Sequence, residues 1–183
     1  MSNLALKRYT ADLNESLPII AIDLGYSAKL PSCGWVHSGD AVAQSLDFGQ
    51  AIEATRDLLL AKGPHLLILE AVLSTYHGAN GNPDIRGDFE KGRGWYYGPG
   101  VTTYAAAVRF LTVLHRELPS GIGPLPLVEG FLSFKKARST HSDDAIRLIS
   151  EFATAERFEP CPGSEAIHSE INGVPKILRY NKP

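Results

Sequence analysis

The chain's 183 residues suffice for one domain with a substantial core, and its 44% hydrophobic and 21% charged content are those of an ordinary globular protein. A net charge of −2 and a pI near 6.3 exclude a globally basic nucleic-acid binder, so any nucleic-acid partner must be met by a local patch. No stretch is long enough to span a membrane, the N-terminus has no apolar signal core, and Cys33 and Cys161 show neither metal spacing nor a disulfide framework, which together predict a cytoplasmic protein with no membrane partner.

Residues 1–18 read as a polar, unpatterned arm closed by Pro18. The apolar run Ile19 to Ile22 predicts a buried strand that ends on Asp23, and Gly25 and Ser27 then let the backbone turn. Cys33–Ser38 is a second predicted strand and Ala41–Phe48 a third, completing an antiparallel meander. Asp47 with Gln50 forms a capping-box signal ahead of a helix over Ala51–Lys62, which Gly63-Pro64 ends. Leu66–Val72 repeats the opening theme, a short apolar strand carrying one acid, Glu70.

Ser74 to Gly100 lacks periodicity and reads as a long Gly-rich loop carrying Arg86, Lys91, Arg93, Trp95, Tyr96 and Tyr97. It leaves the chain just after Glu70 and is expected to lie over the same site. There its aromatics would stack bases and its cations attract phosphates, which suits a single strand or an end. A helix over Thr103–Glu117, stopped by Pro119, precedes a strand over Pro126–Phe131 containing Glu129. Lys135, Lys136 and Arg138 make a small basic connector. A third helix opens at Thr140 and reaches about Ala155, with Ala145, Leu148, Ile149 and Phe152 on its apolar face. Asp144 borders that face and shares a side with His141, whereas Asp143 points to solvent, where it pairs with Arg147 at i+4. Residues 156–183 hold Asn172-Gly173 between apolar segments, a hairpin signal that Pro175 restricts to an edge. They read as an appendage or a homodimer contact.

An ionised carboxylate inside an apolar strand needs a cation or several hydrogen bonds. Two such acids in two core strands are hard to explain by packing, so Asp23 is read as a metal ligand on a central strand. The plainer alternative for Asp23 and Glu70 is bonding to backbone amides. For Asp143 and Asp144 it is complementing the helix dipole behind a Thr140 or Ser142 cap. Trp95, Tyr96 and Tyr97 could simply pin their loop, and the basic connector could be solvated surface.

The order of three strands, helix, strand, helix, strand, helix, with acids on the first strand, the fourth strand and the last helix, resembles the RNase H-like superfamily. The likeness is greatest to its RuvC-like branch and to predicted RNase H-like nucleases. The matching residues are Ile-Asp-Leu-Gly-Tyr-Ser around Asp23, Leu-Ile-Leu-Glu-Ala around Glu70, and His141-Ser-Asp-Asp144-Ala145, over residues 19–155. The resemblance implies a mixed five-stranded α/β sheet with helices on both faces. It also implies phosphodiester hydrolysis with two Mg²⁺ or Mn²⁺ ions about 4 Å apart. Asp23 would bridge both ions, Glu70 would hold one and Asp144 the other, with His141 as ligand or proton carrier. Asp143 is the stand-in for Asp144, and Glu129 is a further candidate. RuvC-type resolvases act as dimers through a basic surface, which this slightly acidic chain lacks, so junction resolution does not carry over.

Two other functions fit parts of the pattern. A degenerate relative would bind nucleic acid or a protein without cutting. An ATP-using phosphotransferase of the actin and sugar-kinase type also begins with Asp-Leu-Gly, but needs two such domains and a second phosphate loop. Asp23-Leu24-Gly25 is the chain's sole Asp-Leu-Gly triplet.

Overall fold

The computed structural model describes residues 17–73, 80, 82, 99–119, 125–130, 132, 139–155, 158–160 and 178–180. Among them are seven strands: β1 (Ile19–Asp23), β2 (Cys33–His37), β3 (Gln44–Leu46), β4 (Leu66–Glu70), β5 (Leu127–Gly130), β6 (Phe158–Pro160) and β7 (Leu178–Tyr180). Three helices lie between them: α1 (Phe48–Lys62), α2 (Pro99–Glu117) and α3 (His141–Ala153). The strands form one mixed sheet in the order β3-β2-β1-β4-β5-β7-β6. The five predicted strands are its first five, an antiparallel meander beside two parallel strands. The C-terminal segment adds the other two, with β7 parallel to β5 and β6 antiparallel to β7. Asn172-Gly173 and the rest of residues 161–177 lie outside the described residues.

Side chains of a strand alternate between faces, and the two faces build separate cores. Ile20, Ile22, Leu67, Leu69 and Leu127 join Ala51, Ile52 and Leu59 of α1 and Ala106, Phe110 and Leu114 of α2. Ala21, Leu66, Ile68 and Val128 face the other way and pack on Ala145 and Leu148 of α3. Helices therefore cover both faces. Asp47 and Gln50 close a reciprocal capping box on α1, and the Gly63 amide bonds back to Leu59. Trp35 Nε1 donates to Thr55 Oγ1 at 3.0 Å, tying β2 to α1. α2 begins four residues before its predicted start, at Pro99, because proline lacks an N–H and costs nothing in a helix's first turn.

Two buried histidines close the end of the sheet away from Asp23. His37 ends β2, His65 precedes β4, and their rings stand 5.3 Å apart. His65 Nδ1 donates to the Gly63 carbonyl at 2.8 Å, while His37 Nδ1 accepts from the Gly39 amide at 3.3 Å. Both Nε2 atoms are buried without a hydrogen-bond partner among the described residues. Burial, reinforced by His37 and Lys62, holds His65 below its ordinary value of 6.5 despite the Gly63 bond. Burial also lowers His115, whose Nδ1 bonds to the Leu111 carbonyl. The unfolded chain thus takes up protons that the fold refuses. Stability is full above 6.5 and declines as pH falls below it toward the lowered folded values. Urea midpoints measured across that range should fall on acidification, and His65→Leu should flatten the slope. A midpoint flat through the range would contradict a His65 kept neutral by burial.

Candidate metal centre

β1 and β4 run parallel and in register, so Asp23 stands beside Glu70. Asp23 lies two residues past Ala21 and Glu70 two past Ile68, which places both acids on the face that α3 covers. Asp144 is in the first turn of α3, next to the buried Ala145. It is fully buried, Asp23 nearly so, and Glu70 partly exposed. One carboxylate oxygen from each lies within 4.8 Å of the other two, and no other group of three or more His, Cys, Asp or Glu ligands gathers this way among the described residues.

A missing side chain brings the helix this close. Gly34 on β2 is the register partner of Asp23. A Cβ at Gly34 would occupy the place of the His141 main-chain carbonyl. The N-terminus of α3 therefore rests on bare backbone, and the helix's positive end faces the acids.

Each acid is oriented from outside the cluster. His141 Nδ1 is 2.7 Å from Asp23 Oδ2, with the imidazole side chain 45% exposed. The Leu132 amide donates to Glu70 Oε1 at 3.3 Å. Ser139 Oγ donates to Asp144 Oδ2 at 3.2 Å, and Arg147 Nη1 donates to Asp144 Oδ1 at 3.4 Å. Arg147 also pairs with Glu151 at 3.6 Å. Three carboxylates this close repel by about 3 kcal/mol per pair at an effective dielectric near 20. Arg147, His141 and the helix end stand against that repulsion, and a divalent cation would add to them.

No protein-family model, curated protein or solved structure matches this chain.

What the site can do follows from its geometry. Asp23, Glu70, Asp144 and His141 come together as expected from the sequence. Asp143 does not join them. It closes the α3 capping box, its Oδ2 accepting from the Thr140 amide at 3.0 Å and the Thr140 hydroxyl at 2.7 Å, which holds its carboxyl below the usual carboxylate range. The expected Asp143–Arg147 pair is replaced by Arg147 on Asp144 and Glu151. Glu129 is buried but lies one residue past Val128 and so on the opposite face, where its Oε2 accepts from the Leu73 amide at 2.7 Å. Arg86, Lys91, Arg93, Trp95, Tyr96, Lys135 and Lys136 lie outside the described residues. Cys33, buried with its thiol donating to the Gly25 carbonyl, is pushed up to about 11 chiefly by burial, so it is no thiolate ligand.

The two neighbouring acids make a sharp test. Asp143→Asn should leave the response to metal within about twofold of wild type, as for a surface change outside the site. Asp144→Asn should abolish it. Isothermal titration with Mn²⁺ reads both, and equal losses would contradict the assignment of the pair.

Sequence reasoning missed Gly34 and Ser139, and gave Arg147 to Asp143 rather than Asp144. Arg147 carried a weak signal, one turn after Asp144. Gly34 carried none, because its role arises from tertiary contact with His141, and Ser139 lies just outside the helix whose pattern was read.

Proposed function

We propose that the protein is a metal-dependent nuclease of RNase H-like type that hydrolyses phosphodiester bonds of DNA or RNA. The observation that carries this is the convergence of Asp23, Glu70 and Asp144 from two strands and a helix to within 4.8 Å. The mixed sheet, an antiparallel meander beside parallel strands with helices on both faces, supports it.

The donor set fits the cation. All three acids offer hard oxygen atoms, which suits Mg²⁺ or Mn²⁺ rather than metals that prefer sulfur or imidazole. Oxygens around Mg²⁺ lie at most about 4.2 Å apart, so small side-chain shifts would let these acids share an ion. Asp23, Glu70 and Asp144 would together hold the divalent ions. Bound there, divalent ions activate water and stabilise the leaving oxygen of an in-line displacement. Ser139 and Arg147 hold Asp144 in place, and the Leu132 amide holds Glu70. His141 holds Asp23 through Nδ1 and, being half exposed, can pass a proton to solvent through its other ring nitrogen.

Labelled single-stranded, duplex and branched DNA and RNA, incubated with Mg²⁺ or Mn²⁺, test the reading. Cleavage that a chelator stops is expected. Binding without cutting would favour the degenerate module, and ATP hydrolysis without nucleic acid would favour the phosphotransferase.

A further inference from the structure

The loop joining β1 to β2 leaves the sheet at the same end as the acids, and it is tightly built. The Leu24 amide donates to the Glu70 carbonyl at 3.4 Å. Gly25 passes so close to Ser32 that a Cβ there would collide with the Ser32 carbonyl. Ser32 Oγ accepts from the Ser27 amide at 3.2 Å, and Ser27 Oγ accepts from the amides of Lys29 and Leu30, each at 3.3 Å. The Ser32 amide is tied to the Leu46 carbonyl at 3.0 Å.

This fixed loop holds an aromatic ring in solvent. Tyr26 is 57% exposed although it follows three almost fully buried residues within four positions. Its ring meets Phe48 edge-on, with centroids 5.0 Å apart, and Phe48 meets the buried Phe110 in the same manner at 6.0 Å. The Tyr26 ring is therefore braced on one side by a row of aromatics anchored in the core. Folding gains little from leaving so large an apolar ring half in water. Lys29, also exposed, adds a cation to the same loop. Three residues of chain span at most about 11 Å, so Tyr26 stands at the acids' end of the sheet. Its ring is braced on the α1 and α2 side while the acids face α3, and a strand crossing that sheet end from Asp23 would meet it at a neighbouring nucleotide.

Taking the nuclease reading as given, we infer that Tyr26 is a base-stacking platform at the rim of the metal centre, with Lys29 meeting a nearby phosphate, and that the substrate presents an unpaired nucleotide there. Every base has a π-face, so such a platform selects single-stranded or splayed strands without reading sequence. A base inside a duplex is already stacked and gains nothing from it.

The test measures binding by fluorescence anisotropy in an Asp23→Asn background with Mg²⁺, so that strands stay whole. A single-stranded oligonucleotide, the same strand with abasic positions, and a duplex serve as probes. Tyr26→Ala should weaken single-strand binding about tenfold, the scale of one lost stack, and leave duplex binding unchanged. Tyr26→Phe and Tyr26→Trp should retain it. The abasic strand should bind weakly both to the parent and to its Tyr26→Ala derivative, since the stack is already lost. Unfolding midpoints keep the comparison to variants that fold. If Tyr26→Ala binds the single strand as tightly as its parent, or loses duplex affinity equally, the platform is overturned while wild-type cleavage leaves the nuclease reading standing. If wild type neither binds nor cuts any strand, the nuclease reading falls and the platform with it.

Discussion

Asp23→Asn should lower metal-dependent cleavage on the order of 10³-fold or more, the scale of losing a group that organises charge in the transition state. The change keeps the side chain's shape but removes the carboxylate that stands between Glu70 and His141. A second readout needs no substrate. A cation at 100 times its dissociation constant stabilises a fold by about 2.7 kcal/mol. For a chain of this size that raises the thermal midpoint by about 5–10 °C. Wild type should show this rise with Mg²⁺ or Mn²⁺, and Asp23→Asn should lose most of it. In chelator the order reverses or closes, because the variant relieves repulsion among three crowded acids. Cutting that survives both chelation and Asp23→Asn would refute the mechanism. A wild-type midpoint indifferent to both ions would refute the metal centre.

Gly34→Ala should be nearly as damaging, although position 34 carries no chemistry. The added methyl would sit where the His141 carbonyl lies, and its neighbours there are backbone, which cannot rotate aside. Either α3 lifts or β2 bends. Overpacking of this kind costs about 1–3 kcal/mol, and a backbone clash falls at or above the upper end. The lifted helix carries His141 and Asp144 away from Asp23 and Glu70 together. A displacement of about 1 Å in a catalytic constellation costs about 10²-fold in rate. The signature is a joint loss, with a lower midpoint, weaker Mn²⁺ binding and slower cutting, and no change of ligand. Gly34→Ala with wild-type Mn²⁺ affinity would show that α3 is not seated through this contact.

The acids on β1 and β4 were legible because each interrupts an apolar run, where an unpartnered charge is too costly to be incidental. Asp144 could be told from Asp143 by helical phase, since only Asp144 abuts the stripe of Ala145 and Leu148. Glu129 shows where such reasoning stops. β5 is buried on both faces, so its sequence carries no mark of which helix each residue meets. Only its register beside β4 sends Val128 toward α3 and Glu129 away. The predicted C-terminal end of β4, at Val72, ran too far for a related reason. Ala71, Val72 and Leu73 are as buried as strand residues, yet they follow the ladder without joining it. Burial is written in composition, whereas hydrogen-bond partnership depends on the neighbouring chain.

The level pairing of Asp23 with Glu70 sets what sequence drift this protein tolerates. Deleting one residue from either strand would turn that strand's acid through to the α1 and α2 side, breaking the couple at a stroke. Losing two would restore the facing but leave the acids staggered by about 7 Å along the sheet. Substitutions around the pair are therefore forgivable, while small insertions and deletions inside β1 or β4 are not. Length changes should be absorbed in the connections between strands.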